Sequence, residues 1–203
     1  MSYQRYFFKC TINDFFDLRE ESWVGIMIES HQRLLTLEYN HSQELAWRDS
    51  FNILKDVFTK ENISNQKFDI IFEYILPYES GRRPDVILLG KKEIFILEFK
   101  MKESLFQADV DQLIAYTRDI SEYHVESRDK TIIPILILSK SQDHNYIVGS
   151  EENKYRIKVS SPNLLSNLIR FTDNSQEDTE KWIYSAYEPL PNIVEAAKMI
   201  MKK

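Results

Sequence analysis

Hydrophobic and polar positions along the chain follow two rhythms. Within 42–58, Trp47, Phe51, Leu54 and Phe58 recur at spacings of four, three and four, which gathers them on one face of an α-helix. Within 104–123, Phe106, Val110, Leu113, Ile114 and Thr117 fall inside an arc of roughly 100° and predict a second amphipathic helix. The stretches 68–76, 85–89 and 93–100 are instead dense in Ile, Leu, Phe and Tyr. They read as three strands, close enough in sequence to form a meander. Further strands are predicted at 131–139, around Tyr146 and Ile147, and at 155–159. Residues 1–40 look helical with interruptions. The chain after Ser161-Pro162 reads as helical, with a cap and a proline in the first turn. Helices, three strands, a helix, more strands and helices again describe an α/β or α+β core flanked by helices.

Nothing in the pattern divides the chain. No repeat and no Pro-, Ser- or Gly-rich linker interrupts its 203 residues, so a single domain over 1–203 is expected, with its core at about 42–160. The longest aliphatic run, 132–138, is broken by Pro134 and is far shorter than the ~20 residues a membrane helix needs. No membrane partner is expected. The N-terminal residues lack an apolar signal region and are expected to be those of a mature protein. The single Cys10 excludes an internal disulfide framework, and with His31, His41, His124 and His144 it offers no zinc spacing; a reduced, cytoplasmic setting fits. Only four glycines occur, and they never cluster, which removes Gly-rich phosphate loops of both the dinucleotide and the Walker type.

Candidate chemistry gathers at one hairpin. The strand at 93–100 ends in Leu97-Glu98-Phe99-Lys100, and alternation places Glu98 and Lys100 on a shared face. The preceding strand opens with Pro84-Asp85. If Leu89 faces Ile94 across the turn, four steps back and four forward set Asp85 opposite Glu98. Glu and Lys at a hairpin end are often mere surface decoration, and it is the added Pro84-Asp85 that turns the balance. Two converging carboxylates beside a lysine are costly to bury without a partner. Mg2+ or Mn2+ is the natural compensation. Such a centre suits phosphodiester hydrolysis, in which charge builds on phosphate oxygens and a water must be activated.

Pro84-Asp85, twelve residues, Glu98-Phe99-Lys100 and a following helix together resemble the PD-(D/E)xK nuclease superfamily. Gln112 and Tyr116, one turn apart on that helix, resemble the Gln-x-x-x-Tyr motif of its RecB-like branch, although Met101-Lys102-Glu103 departs from what often follows the lysine there. The resemblance covers about half of the chain. It implies an α/β fold with a restriction-endonuclease-like core, a mixed central sheet flanked by helices. It also implies a metal-dependent nuclease in which Asp85 and Glu98 bind Mg2+ or Mn2+, the Phe99 carbonyl is a further ligand, and Lys100 assists the attacking water. Gln112 and Tyr116 would support the site. A glutamate on the helix before the strands is expected as well: Glu44 is the first candidate, and Glu73 on the first strand is the reserve. DNA is favoured over RNA by the resemblance alone, and a helicase-type ATPase domain or subunit is the implied protein partner.

Net charge is −6, which argues against bulk attraction to a polyanion. Within 81–102, however, six basic residues meet three acids. This segment is therefore +3 and the remainder −9. Arg82 and Arg83 precede Asp85 directly and are candidates for holding a phosphate. The alternative to an enzyme is a non-catalytic nucleic-acid- or protein-binding module on the same fold.

Overall fold

The computed structural model describes residues 3–36, 39–77, 79, 81–142, 145–148 and 155–188. The sequence expectation of a helix over 193–203 lies outside them. Its elements are β1 (Phe8–Thr11), α1 (Ile12–Asp17), α2 (Glu20–Leu35), α3 (His41–Phe58), α4 (Glu61–Ser64), β2 (Asp69–Phe72), β3 (Val86–Leu89), β4 (Glu93–Lys100), α5 (Gln107–Arg118), β5 (Thr131–Leu138), β6 (Asn145–Val148), β7 (Ile157–Ser160), α6 (Pro162–Leu165) and α7 (Thr179–Ile183). The strands form one seven-stranded mixed sheet in the order β1-β2-β3-β4-β5-β7-β6. The pairs β1-β2, β2-β3 and β3-β4 are antiparallel, β4-β5 and β5-β7 are parallel, and β6 is antiparallel to β7. This is an α/β fold with helices on both faces of the sheet.

Both faces are covered, which is why β4 carries the continuous run Ile94 to Leu97. On one face Phe15, Trp23, Trp47, Phe51 and Phe58 pack against Phe72, Leu88, Phe95 and Leu97. On the other, Val110, Leu113, Tyr116 and Trp182 pack against Ile71, Ile87, Ile96 and Leu136. The apolar stripe read on α3 is buried as expected. Its N-cap is Asn40, whose side chain accepts from the Gln43 N–H at 2.9 Å.

Several expectations need correction. The opening region is not all helical, because Phe8–Thr11 forms an edge strand paired with β2. Its partner lies some sixty residues downstream, so no local period announces it. The strand predicted over 68–76 stops at Phe72, since Glu73 adopts a left-handed φ of 52°. The chain then turns back, and the Ile75 N–H reaches the Arg5 carbonyl at 2.7 Å. The helix predicted over 104–123 starts at Gln107 and ends at Arg118, where it widens into a π-helical turn, Asp119–Tyr123. After β7 the described chain carries only the two short helices α6 and α7, with an irregular stretch between them.

That irregular stretch clamps the far end of the β3–β4 hairpin. Phe171 stacks on Phe68 at 4.8 Å and meets Phe95 edge-on at 5.0 Å, and Thr172 binds the buried Glu93 carboxylate through its N–H and its hydroxyl. Gly90 makes this possible: a Cβ there would overlap the Phe171 ring. The ring is held on two sides and has no room to retreat. We expect Gly90→Ala to destabilise the protein by about 1–3 kcal/mol, measured by urea unfolding; unchanged stability would contradict this packing account.

Candidate active site

The hairpin register is the one expected from the sequence: Leu89 pairs with Ile94 and Val86 with Leu97. One step further, Asp85 stands across from Glu98. With β3 finished, the Phe99 N–H has no strand partner, and Asp85 Oδ2 accepts from it at 2.8 Å. Asp85 thereby extends the ladder with a side chain. Glu98, 2% exposed, accepts from Lys100 Nζ through Oε1 at 3.0 Å. Its other oxygen, Oε2, is buried without a hydrogen-bond partner.

Lys100 is fixed from the helix side. Its Nζ donates to Gln112 Oε1 at 2.9 Å, and Gln112 Nε2 in turn donates to the Tyr116 hydroxyl at 2.8 Å. Asp109 Oδ1 lies 3.8 Å from the same ammonium. Gln112 and Tyr116 are thus brought to the site, and Tyr116 is also buried in the core beneath α5. Asp109 was not anticipated from the sequence. Its signal was available, because Asp109, Gln112 and Tyr116 lie at spacings of three and four on one line of the helix.

The third carboxylate near the hairpin end is Glu73, not Glu44. Its left-handed backbone turns it in at the end of β2, and its own N–H donates to the Asp85 carbonyl at 2.9 Å. Glu73 Oε1 accepts from Trp47 Nε1 at 2.8 Å, while Oε2 is engaged by Arg83 Nε. Glu44 instead pairs with Arg48 at 2.9 Å, which also holds Glu20 and Glu21 of α2. This i,i+4 partner holds the half-buried Glu44 toward α2, and α3 presents Trp47 to the site. Trp47, Glu73, Asp85, Glu98, Phe99 and Lys100 line a cavity of about 80 Å³.

Arg82 and Arg83 are both committed within the chain. Arg83 binds Glu73 and the Gly81 carbonyl. Arg82 binds Glu79 at 3.1 Å and lies 3.4 Å from Asp119. Lys91 and Lys92 occupy the β3–β4 turn, about 20 Å along β4 from Glu98 by strand rise, where they pair with Glu177 and Asp173. The basic segment 81–102 is therefore split between the two ends of the hairpin.

Burial dominates the electrostatics. It lifts the Asp85 carboxyl well above its ordinary value, with Glu98 and Glu73 adding to the rise. It lifts Glu98 to about 7, against the pull of Lys100, and it raises Glu73 despite Arg83 and Trp47. Burial also opposes the Lys100 ammonium, but Glu98, Asp85 and Asp109 hold its pKa above the usual lysine value. Among the described residues no three His, Cys, Asp or Glu side chains form a ready metal cage. Two carboxylates are nonetheless enough for Mg2+, which characteristically retains several waters. The orphaned Glu98 Oε2 beside Asp85 fits such an ion, whereas both Glu73 oxygens are already engaged. No protein-family model, curated protein or solved structure matches this chain.

A raised carboxyl pKa contributes stability that is complete below the unfolded value and is lost as pH rises through the folded one. For Glu98 that window runs from 4.5 to about 7. His124 acts in the opposite sense, because burial lowers its pKa from 6.5 to about 3, so total stability mixes the two effects. The informative quantity is the difference between Glu98→Gln and wild type in EDTA. Relative to wild type, the variant should gain unfolding free energy as pH rises across this window; a flat or falling difference would contradict the account.

Proposed function

We propose that this chain is a metal-dependent nuclease domain of the PD-(D/E)xK kind, hydrolysing phosphodiester bonds with DNA as the favoured substrate. The observation that carries the reading is the buried, unpartnered Glu98 oxygen beside Asp85, with the Lys100 ammonium on the same carboxylate. The antiparallel β2-β3-β4 unit, followed by α5 and the parallel β5, supports a restriction-endonuclease-like core.

Asp85 and Glu98 would hold Mg2+ or Mn2+, together with the Phe99 carbonyl. When bound, the ion supplies charge neutralisation at phosphate oxygens and a lowered pKa for water. Lys100, donating to Glu98 and Gln112, stands where it can orient an attacking water and offset charge developing on phosphorus. Gln112 keeps the ammonium from swinging away. Arg83 neutralises Glu73 and so limits the negative charge that a phosphate would meet.

Substrate affinity requires help from elsewhere. Each of the six basic residues in 81–102 is ion-paired within the chain: Arg82, Arg83, Lys91, Lys92, Lys100 and Lys102. No cation of this segment is left without an acidic neighbour, which weakens its pull on a polyanion. A tethered or bound partner, such as a helicase-type ATPase domain or subunit, would raise the effective concentration of substrate.

The test is cleavage of single- and double-stranded DNA and RNA with Mg2+ or Mn2+ and with EDTA. Asp85→Asn, Glu98→Gln and Lys100→Ala should each lower turnover by at least about a hundredfold, with the fold retained by circular dichroism. Cleavage that survives EDTA, or full activity in any variant, would overturn the assignment. Binding with no cleavage under any metal would identify a binding module instead.

A further inference from the structure

The helix that covers the hairpin carries a polar line longer than the Gln112–Tyr116 pair. Asp109, Gln112, Tyr116 and Asp119 follow one another at spacings of three, four and three, so they stack along a single face. Three cations meet that line in order. Lys102 binds Asp109 at 2.8 Å, Lys100 binds Gln112 at 2.9 Å, and the Arg82 guanidinium lies 5.4 Å from the centre of the Tyr116 ring. Arg82 also stands 3.4 Å from Asp119 Oδ2. Asp119 is wholly buried and opens the π-helical turn, and its Oδ1 is held by Arg118 at 2.7 Å.

The chemistry of each group fixes the direction of the relay. An ammonium only donates, so Gln112 must present its oxygen to Lys100 and turn its NH2 outward. The Tyr116 hydroxyl receives that NH2, so the tyrosine holds the far end of an amide whose orientation the ammonium sets. The ring in turn lies beneath the Arg82 guanidinium. Arg82 donates to Glu79 at 3.1 Å and has the Asp119 carboxylate beside it as an opposite charge, and its backbone is pinned by Leu76 N–H to Arg82 O and Arg82 N–H to Glu79 O, both 3.0 Å. Asp85 lies three residues further along the same segment.

We propose that Arg82 and Asp119 are positioning residues, which orient the Lys100 ammonium through Tyr116 and Gln112 rather than by touching substrate. This rests on the nuclease reading for its consequence in turnover, but the relay itself is a property of the free protein. It gives Arg82 a task different from holding phosphate.

Two measurements on the full chain test it. The first is hydrogen exchange of the Gln112 side-chain amide in 15N-labelled, metal-free protein, assigned with Gln112→Ala. Arg82→Gln should speed that exchange about tenfold, the scale on which removing an outer-shell partner is felt, and Arg82→Lys should restore most of the protection. Asp119→Asn should act in the same direction as Arg82→Gln. Unchanged exchange in Arg82→Gln overturns the proposal whatever the protein cleaves. The second measurement is kinetic: Arg82→Gln should lower kcat about tenfold with KM for a DNA oligonucleotide unaltered, and should have no further effect in a Gln112→Ala background. A raised KM with kcat preserved would make Arg82 a phosphate contact and overturn the proposal. Should wild type fail to cleave at all, the nuclease reading falls, and the exchange measurement alone decides the relay.

Discussion

Burial of Glu98 on a strand otherwise made of Ile, Phe and Leu is the constraint on which the rest of the site depends. A carboxylate taken out of water needs partners for both oxygens, and this one has a partner for only one. Its neighbours are arranged around that deficit. Asp85 stands opposite through the hairpin register, and Lys100 follows two residues later on the same face. α5 lays Gln112 and Asp109 against the lysine. The Glu73 charge is drawn aside by Arg83 and Trp47. What remains is a small opening between two buried carboxyls, where the proposed ion would be a hard cation that keeps part of its water shell.

Much of this centre was legible in the sequence because its logic is local. The step count from Leu89 and Ile94 to Asp85 and Glu98 needs only the two-residue period of strands and a short turn. Gln112 and Tyr116 need only the helical repeat. The features that were not legible depend on partners distant along the chain. β1 becomes a strand because β2 offers it an edge, and Glu73 turns inward through a left-handed backbone that an L-residue with a Cβ rarely adopts. Glu44 was the first sequence candidate, but Arg48 claims it together with Glu20 and Glu21 of α2. Composition likewise counted Lys91 and Lys92 toward the site, although an eight-residue strand carries them to its other end.

The two ends of the hairpin divide stability from chemistry. At the turn, Phe171 and Thr172 lock Gly90 and Glu93 against the body of the protein. At the open end, polar side chains replace ladder and core contacts, with Asp85 bonding the Phe99 N–H and Trp47 donating to Glu73. The open end thus holds groups whose burial is unfavourable, while the far end is anchored by packing.

The most direct test of the central claim is to look for the ion. Crystals of the full chain grown with Mn2+ should give one strong anomalous-scattering peak at bonding distance from Asp85 and from Glu98 Oε2, and Glu98→Gln crystals grown in the same way should lack it. A wild-type map with no peak between those two carboxylates, or with Mn2+ bound only elsewhere, would contradict the account.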